Sequence, residues 1–222
     1  MKRFTATLLL TLLCVTTFAQ GTENTKTGIA IENEHKIVVE ARRSSMNFEE
    51  IEVSHAIRLI VEERTTGNII VRAPQSVMPF ISLKVKDNTL YATLLSGTPV
   101  SRNSNVIAEV YVPYNGRIEE IKTSAAARVI VKPTISCNEL ELKASSSSVI
   151  EVKVGAKEVS IDAVGASTIK AELACDKLES ELSGASTAIL AGQVTKAEIS
   201  LLHLPQQFHD GTLILRFKGL AA

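Results

Sequence analysis

Val159-Ser-Ile-Asp-Ala-Val164-Gly165-Ala166-Ser167-Thr168-Ile-Lys-Ala-Glu-Leu173-Ala-Cys175-Asp-Lys177 runs directly into Leu178-Glu-Ser-Glu-Leu182-Ser183-Gly184-Ala185-Ser186-Thr187-Ala-Ile-Leu-Ala-Gly192-Gln-Val-Thr-Lys196. Both stretches are nineteen residues long, and the two segments before them, Ile121 to Glu139 and Leu140 to Glu158, share their length and layout. Each segment opens on an alternating strand, meets a corner of small residues and continues into a second alternating strand. A period near twenty built from strands predicts an all-β solenoid of about 19–20 residues per rung, mainly two strands to a rung.

The corners read Ser124-Ala-Ala-Ala127, Ala144-Ser-Ser-Ser147-Ser148, Val164-Gly165-Ala166-Ser167 and Ser183-Gly184-Ala185-Ser186. A chain reversing between packed strands needs a residue that accepts positive φ, which Gly165 and Gly184 supply most easily. Ser147, Ser167 and Ser186 are expected to stack, their hydroxyls meeting corner amides or one another. In the flanking strands Leu140, Leu142, Ile161 and Leu182 point inward, while Glu141, Lys143, Asp162 and Glu181 face water.

The pattern loosens toward the N-terminus. Phe48 to Glu62 resembles a looser copy of the repeat, with Ser54-His55-Ala56-Ile57 at the corner position. Pro74, Pro79 and the Asp87-Asn88 turn then break the period, and Ile81 to Lys86 with Leu90 to Leu95 reads as a hairpin. This middle third reads either as an edge elaboration or as more irregular rungs.

Lys2 and Arg3, an apolar run from about Phe4 to Phe18, and Thr17-Phe18-Ala19 form a secretory signal peptide cleaved before Gln20. Threonines dilute that run below a membrane span, and no later segment is apolar enough to cross a bilayer. Residues 20–36 are polar and aperiodic, a flexible arm before a domain expected over 37–200. The 24 basic and 24 acidic residues balance and interleave, which argues against nucleic acid as a partner. Cys137 and Cys175 remain after signal removal. Two repeats apart, they would lie about 9.6 Å apart on rungs of about 4.8 Å, beyond disulfide reach, so both are expected reduced.

No catalytic set is evident. The serine-rich corners contain no Gly-x-Ser-x-Gly elbow, and His35, His55, His203 and His209 all lie outside the four repeats. His203 and His209 lack the spacing of a metal pair, so neither metal nor cofactor is expected. Asp162 and Asp176 share a repeat but sit on different strands, which weakens a polysaccharide-cleaving reading.

Taken together, the signal peptide, the Phe48-x-x-Ile51-x-Val53-Ser54-x-Ala56-Ile57 phrase, Val110-Tyr-Val-Pro113 and the Gly-Ala-Ser corners resemble the bacterial family labelled "putative auto-transporter adhesin, head GIN domain", common in Bacteroidetes. The resemblance spans about Phe48 to Ser200. It implies a right-handed parallel β-helix and supplies no catalytic residues. The chain departs from the family pattern at Leu201-Leu-His-Leu-Pro205, where a small-residue corner is due; residues 201–222 then read as an aperiodic tail, either a cap or the product of truncation or frameshift.

These readings describe an exported, single-domain, non-enzymatic protein of the cell envelope, in the periplasm, on the outer membrane or outside the cell. Its repetitive face would serve adhesion or scaffolding toward an envelope protein or a glycan. A carbohydrate-binding or pectinase-like β-helix and an envelope signalling module are the alternatives.

Overall fold

The computed structural model describes residues 36–43, 47–64, 67–99, 107–202 and 212–217. The signal peptide, nearly all of the N-terminal arm, His203 and His209 lie outside them. The N-terminal half carries β1 (Ile37–Arg43), β2 (Glu50–Val53), β3 (Ile57–Glu62), β4 (Asn68–Pro74), β5 (Ile81–Lys86), β6 (Thr89–Leu94) and β7 (Ala108–Pro113). The repeats carry β8 (Glu120–Thr123), β9 (Arg128–Ser136), β10 (Glu139–Ala144), β11 (Val149–Val164), β12 (Thr168–Ser183) and β13 (Thr187–Leu202), followed by β14 (Thr212–Phe217). Within the C-terminal tail, β14 pairs in parallel with β13.

The all-β expectation stands, but the right-handed parallel β-helix does not. The described strands form one 14-stranded mixed sheet that curls into a half-barrel. Three of its pairs, β1 with β4, β4 with β7 and β5 with β6, are antiparallel. The β5–β6 hairpin is as expected, and the repeat rightly signals parallel neighbours from β8 onward, but carrying that geometry through the irregular first half misses the reversals of β4 against β1 and β7. Short turns such as Asp87-Asn88, both at positive φ, return the chain beside itself and dictate antiparallel pairing.

The two-strand rung is corrected as well. β11, β12 and β13 are each continuous over sixteen residues. The first half of β11 pairs with β9 and the second half with β10, so one strand joins both limbs of the sheet. Between the halves the ladder skips one residue, Lys157 opposite Asp176 and Asp176 opposite Thr195. Burial changes phase there: Ile150, Val152 and Val154 are inward before the skip, and Val159, Ile161 and Ala163 after it. A phase change turns the opposite face of the strand toward the same core, which is how the sheet curls.

Register confirms the nineteen-residue step between β11, β12 and β13, with Val149 opposite Thr168 and Thr168 opposite Thr187. The first step is longer. Ile121 pairs with Leu142, not Leu140, and Arg128 with Val149. Val131, Lys132 and Pro133 together face Val152, and the nineteen-residue offset returns at Thr134 opposite Lys153. Pro133 has no N–H to give the ladder, so the strand bulges where it occurs.

The corners are left-handed. His55 and Ala56, Ala125 and Ala126, and Ser146 and Ser147 all have φ between 50 and 64°, while in the next two corners Gly165 and Gly184 take φ of 74 and 70°. The inward column beneath them is Ile57, Ala127, Ser148, Ser167 and Ser186, every one buried. Ser147 is an exposed turn residue, one place outside that column. Ser148 Oγ accepts from the Ser145 amide at 3.1 Å and lies 2.9 Å from Thr123 Oγ1. The Ser167 and Ser186 hydroxyls are buried without a partner among the described residues.

Two stability predictions follow from this stacking. Gly192 has φ of 133°, and an added Cβ would lie 1.9 Å from the Leu173 carbonyl oxygen. Gly192→Ala is expected to cost about 3 kcal/mol or more in urea unfolding, against about 0.5 kcal/mol for Gly155→Ala; equal midpoints for the two would refute the close approach. Ser148→Ala, which removes a buried hydroxyl bonded to the Ser145 amide, the Thr123 hydroxyl and the Thr123 carbonyl, is expected to cost about 1–3 kcal/mol, whereas Ser186→Ala should be neutral or stabilising. The reverse order would show that Ser186 does have a partner.

Candidate functional site

On a parallel ladder each outward position repeats its neighbours one strand away, so charged residues line up in columns. Glu50, Glu120, Glu141, Ser160, Glu179 and Glu198 stand in one such column. Glu52, Lys122, Lys143, Asp162 and Glu181 stand in the next, two residues along. Directly stacked like charges repel, and the side chains relieve this by reaching between columns. Glu120 receives Lys122 at 2.8 Å and Lys143 at 3.2 Å, and Lys143 also meets Glu141 at 2.7 Å. Burial alone would raise the Glu120 carboxyl, but hydrogen bonds led by that from Lys122 hold it below its ordinary value. The Lys122 and Lys143 ammonium groups are held up chiefly by their bonds to Glu120 and Glu141.

Where these columns begin, Glu49, Glu119, Glu139 and Glu158 join Glu50, Glu120, Glu141 and Glu179 around an open cleft of about 330 Å³, with Lys177 at its wall and Leu140 and Val159 at its floor. Sequence reasoning passed over this gathering. The signal was present, since Glu49-Glu50-Ile51 and Glu119-Glu120-Ile121 are the same tripeptide and stand side by side in β2 and β8. Without the register, seventy residues of separation hid the coincidence.

Other candidates are dispersed. Asp162 lines a cleft with Lys122, Lys143 and Ser124, whereas Asp176 lines a separate one at the bend of β12 and β13 with Cys175, Gln193 and Thr195. They do not form a pair. His55 Nδ1 lies 2.9 Å from Ser54 Oγ and 3.0 Å from Thr93 Oγ1, and Ser54 donates to Thr93 at 2.8 Å, a polar clip that ties the left-handed corner to β6. Cys137 and Cys175 are both free, and Ala156 stands between their ladder positions. Burial pushes both thiols above their ordinary range. Gly165, Ala166, Gly184 and Ala185 lie in the corners, with Ser167 and Ser186 buried beneath them. Among the described residues no group of three or more His, Cys, Asp or Glu is placed to hold a metal ion, and no helix is long and apolar enough to cross a membrane.

The fold is shared with solved structures. A putative adhesin from Bacteroides fragilis superposes with a TM-score of 0.54 at 12% identity, covering 85% of this chain and 99% of its own. A putative lipid binding protein from Parabacteroides distasonis gives 0.61 at 15% identity, covering 76% of this chain and 75% of its own. A putative adhesin from the same organism gives 0.51 at 14% identity, covering 85% and 97%. At these identities the likeness concerns the fold alone. None of the curated proteins matches the chain. The profile of one family, however, matches residues 47–198, well over half of the sequence and every strand from β2 to β12: the chain belongs to the family described as "Putative auto-transporter adhesin, head GIN domain".

Proposed function

We propose that this is an exported, non-enzymatic protein of the cell envelope that works as an adhesin-like or scaffolding surface toward an envelope protein or glycan. The observation that carries the reading is the outward sheet face. Its charged columns run over six strands from β2 to β13, and its glutamates gather along one cleft. Such a face offers many weak, regularly spaced contacts, which suits adhesion. Membership of a family described by an adhesin label supports the same class. Export is supported by the basic start at Lys2-Arg3, the apolar run after it and Thr17-Phe18-Ala19, and predicts a mature N-terminus at Gln20.

The crowding of carboxylates around one cleft lends weight to a second reading, a carbohydrate-active protein. A glycosidase-type general acid needs a carboxyl kept protonated near neutral pH. Glu120 is shifted the other way, so it does not fit the role of that acid.

The test is a glycan array run beside a cross-linking pull-down from envelope extract, with the secreted chain and a Glu141→Lys, Glu179→Lys double variant. Saturable binding in at least one assay, weakened about tenfold or more by the variant, is expected. Undiminished binding by the variant would remove the charged face from the explanation, and release of reducing ends from a polysaccharide panel would favour the enzyme.

A further inference from the structure

A second cleft, remote in register from the glutamates, has the opposite character. Across four neighbouring strands Val39 of β1 faces Arg72 of β4, Arg72 faces Glu109 of β7, and Glu109 faces Arg58 of β3. Arg128 of β9 follows in the same row beside Arg58. Two guanidinium groups therefore flank one carboxylate, and a third lies next to them.

That carboxylate is oversubscribed. Glu109 accepts from Arg58 at 3.1 Å and from the Tyr111 hydroxyl at 3.0 Å, which leaves Arg72 at 3.8 Å, outside hydrogen-bond distance. Arg128 draws on Glu151 at 3.5 Å, and Glu151 is also shared with Lys170 at 3.6 Å. The group therefore sets four cations (Arg58, Arg72, Arg128 and Lys170) against two carboxylates (Glu109 and Glu151), an excess of two positive charges. Arg58 Nε is moreover buried with no partner among the described residues, although a buried donor is normally satisfied. A chain with no net charge has no general field to explain this local excess.

The cleft beside these arginines measures about 340 Å³; Arg58, Arg72 and Glu109 form its polar side, and its other walls are apolar: Ile37, Pro74 and Ile107, with the buried Ala73 and Ala108. Ile37 is 51% exposed and Val39, in the same strand, 63%. A sugar would want polar or aromatic walls, and a bare inorganic anion would leave this surface wet. An anionic head with an aliphatic body satisfies both halves of the cleft.

We propose that this cleft binds a single-headed anionic amphiphile, its carboxylate or phosphate held by Arg58 and Arg72 and its aliphatic body laid along Ile37, Pro74 and Ile107. The proposal is independent of the adhesive reading, since it involves a different row of strands and a different ligand. Recognition rests on two planar guanidinium forks, which match the paired oxygens of either head group.

Calorimetric titration of the secreted chain with decanoate, decyl phosphate, inorganic phosphate and octyl glucoside, each below its micelle concentration, tests it. One decyl anion should bind per chain, at least tenfold tighter than inorganic phosphate or octyl glucoside; whichever of the two decyl anions binds tighter identifies the preferred head. Arg72→Gln removes a side chain that is 55% exposed and makes no hydrogen bond to Glu109, so it should lower affinity at least tenfold without moving the unfolding midpoint. Arg58→Lys should lower it as well. Equal binding of octyl glucoside, equal binding of inorganic phosphate, or full affinity in Arg72→Gln would overturn the proposal. So would binding to phosphatidylglycerol vesicles without binding to monomeric decyl phosphate, since that would be a membrane surface acting instead of the cleft.

Discussion

The left-handed corner is the constraint on which the repeats depend. Each corner must turn the strand within a few residues and also lie flat on the corner below it. Non-glycine residues in that conformation cost about 1–2 kcal/mol each. His55-Ala56, Ala125-Ala126 and Ser146-Ser147 bear that cost twice per corner, while Gly165 and Gly184 avoid it. The stack also explains why small residues collect there. A Cβ on Gly184 would come within 3.2 Å of the Gly165 carbonyl oxygen, so each corner sets the height of the next. The corner composition is a packing requirement, and it accounts for the serine-rich column without any chemistry.

This constraint also marks how far the sequence could be read. The parallel step between β11, β12 and β13 was legible because corner and strand recur at fixed spacing. The curl was legible in principle too. Alternation in Val149–Val164 and Thr168–Ser183 changes phase near Lys157 and Asp176, and a phase change without a turn residue means a bend within one strand. Segments that open at Val159 and Leu178 cut each continuous strand in two at its phase change, which gives two strands per rung and, with the family resemblance, the β-helix. The bulge at Pro133 was hidden because nineteen-residue segments can be drawn through it by eye; only the hydrogen-bonding of Ile121 to Leu142's strand position reveals two extra residues. Antiparallel pairing of β1, β4 and β7 was illegible for a different reason: the partners are long-range, and no local signal chooses between a parallel and an antiparallel neighbour.

Repetition has an electrostatic consequence. Stacking a repeat on itself in register sets Lys122 beside Lys143 and Glu120 beside Glu141. In β8 and β10 the sequence offsets this by changing sign along the strand, so Glu120 and Glu141 stand beside Lys122 and Lys143. Isolated surface pairs of this kind contribute about 0–1 kcal/mol. Their importance lies in the arrangement, since a lattice of mutually satisfied charges stays flat and hydrated without attracting arbitrary partners. A glutamate-lined cleft arises where the lattice begins, around Glu49, Glu119 and Glu139.

Departures from the repeat are therefore where unanswered charge accumulates. Between β11 and β12, where the step is regular, Lys153 finds Glu172 at 3.1 Å and Lys177 approaches Glu158 at 3.7 Å. In the irregular first half, antiparallel and parallel strands are laid side by side, and the row Arg72, Glu109, Arg58, Arg128 results from neighbours that no repeat has tuned to one another. A regular ladder corrects a charge imbalance by repeating its compensation on the next strand; a row built from four unrelated segments cannot. The imbalance there lies beside a cleft with apolar walls and a buried guanidinium nitrogen that is unsatisfied among the described residues, and the ligand that answers both features carries an anion on an apolar body.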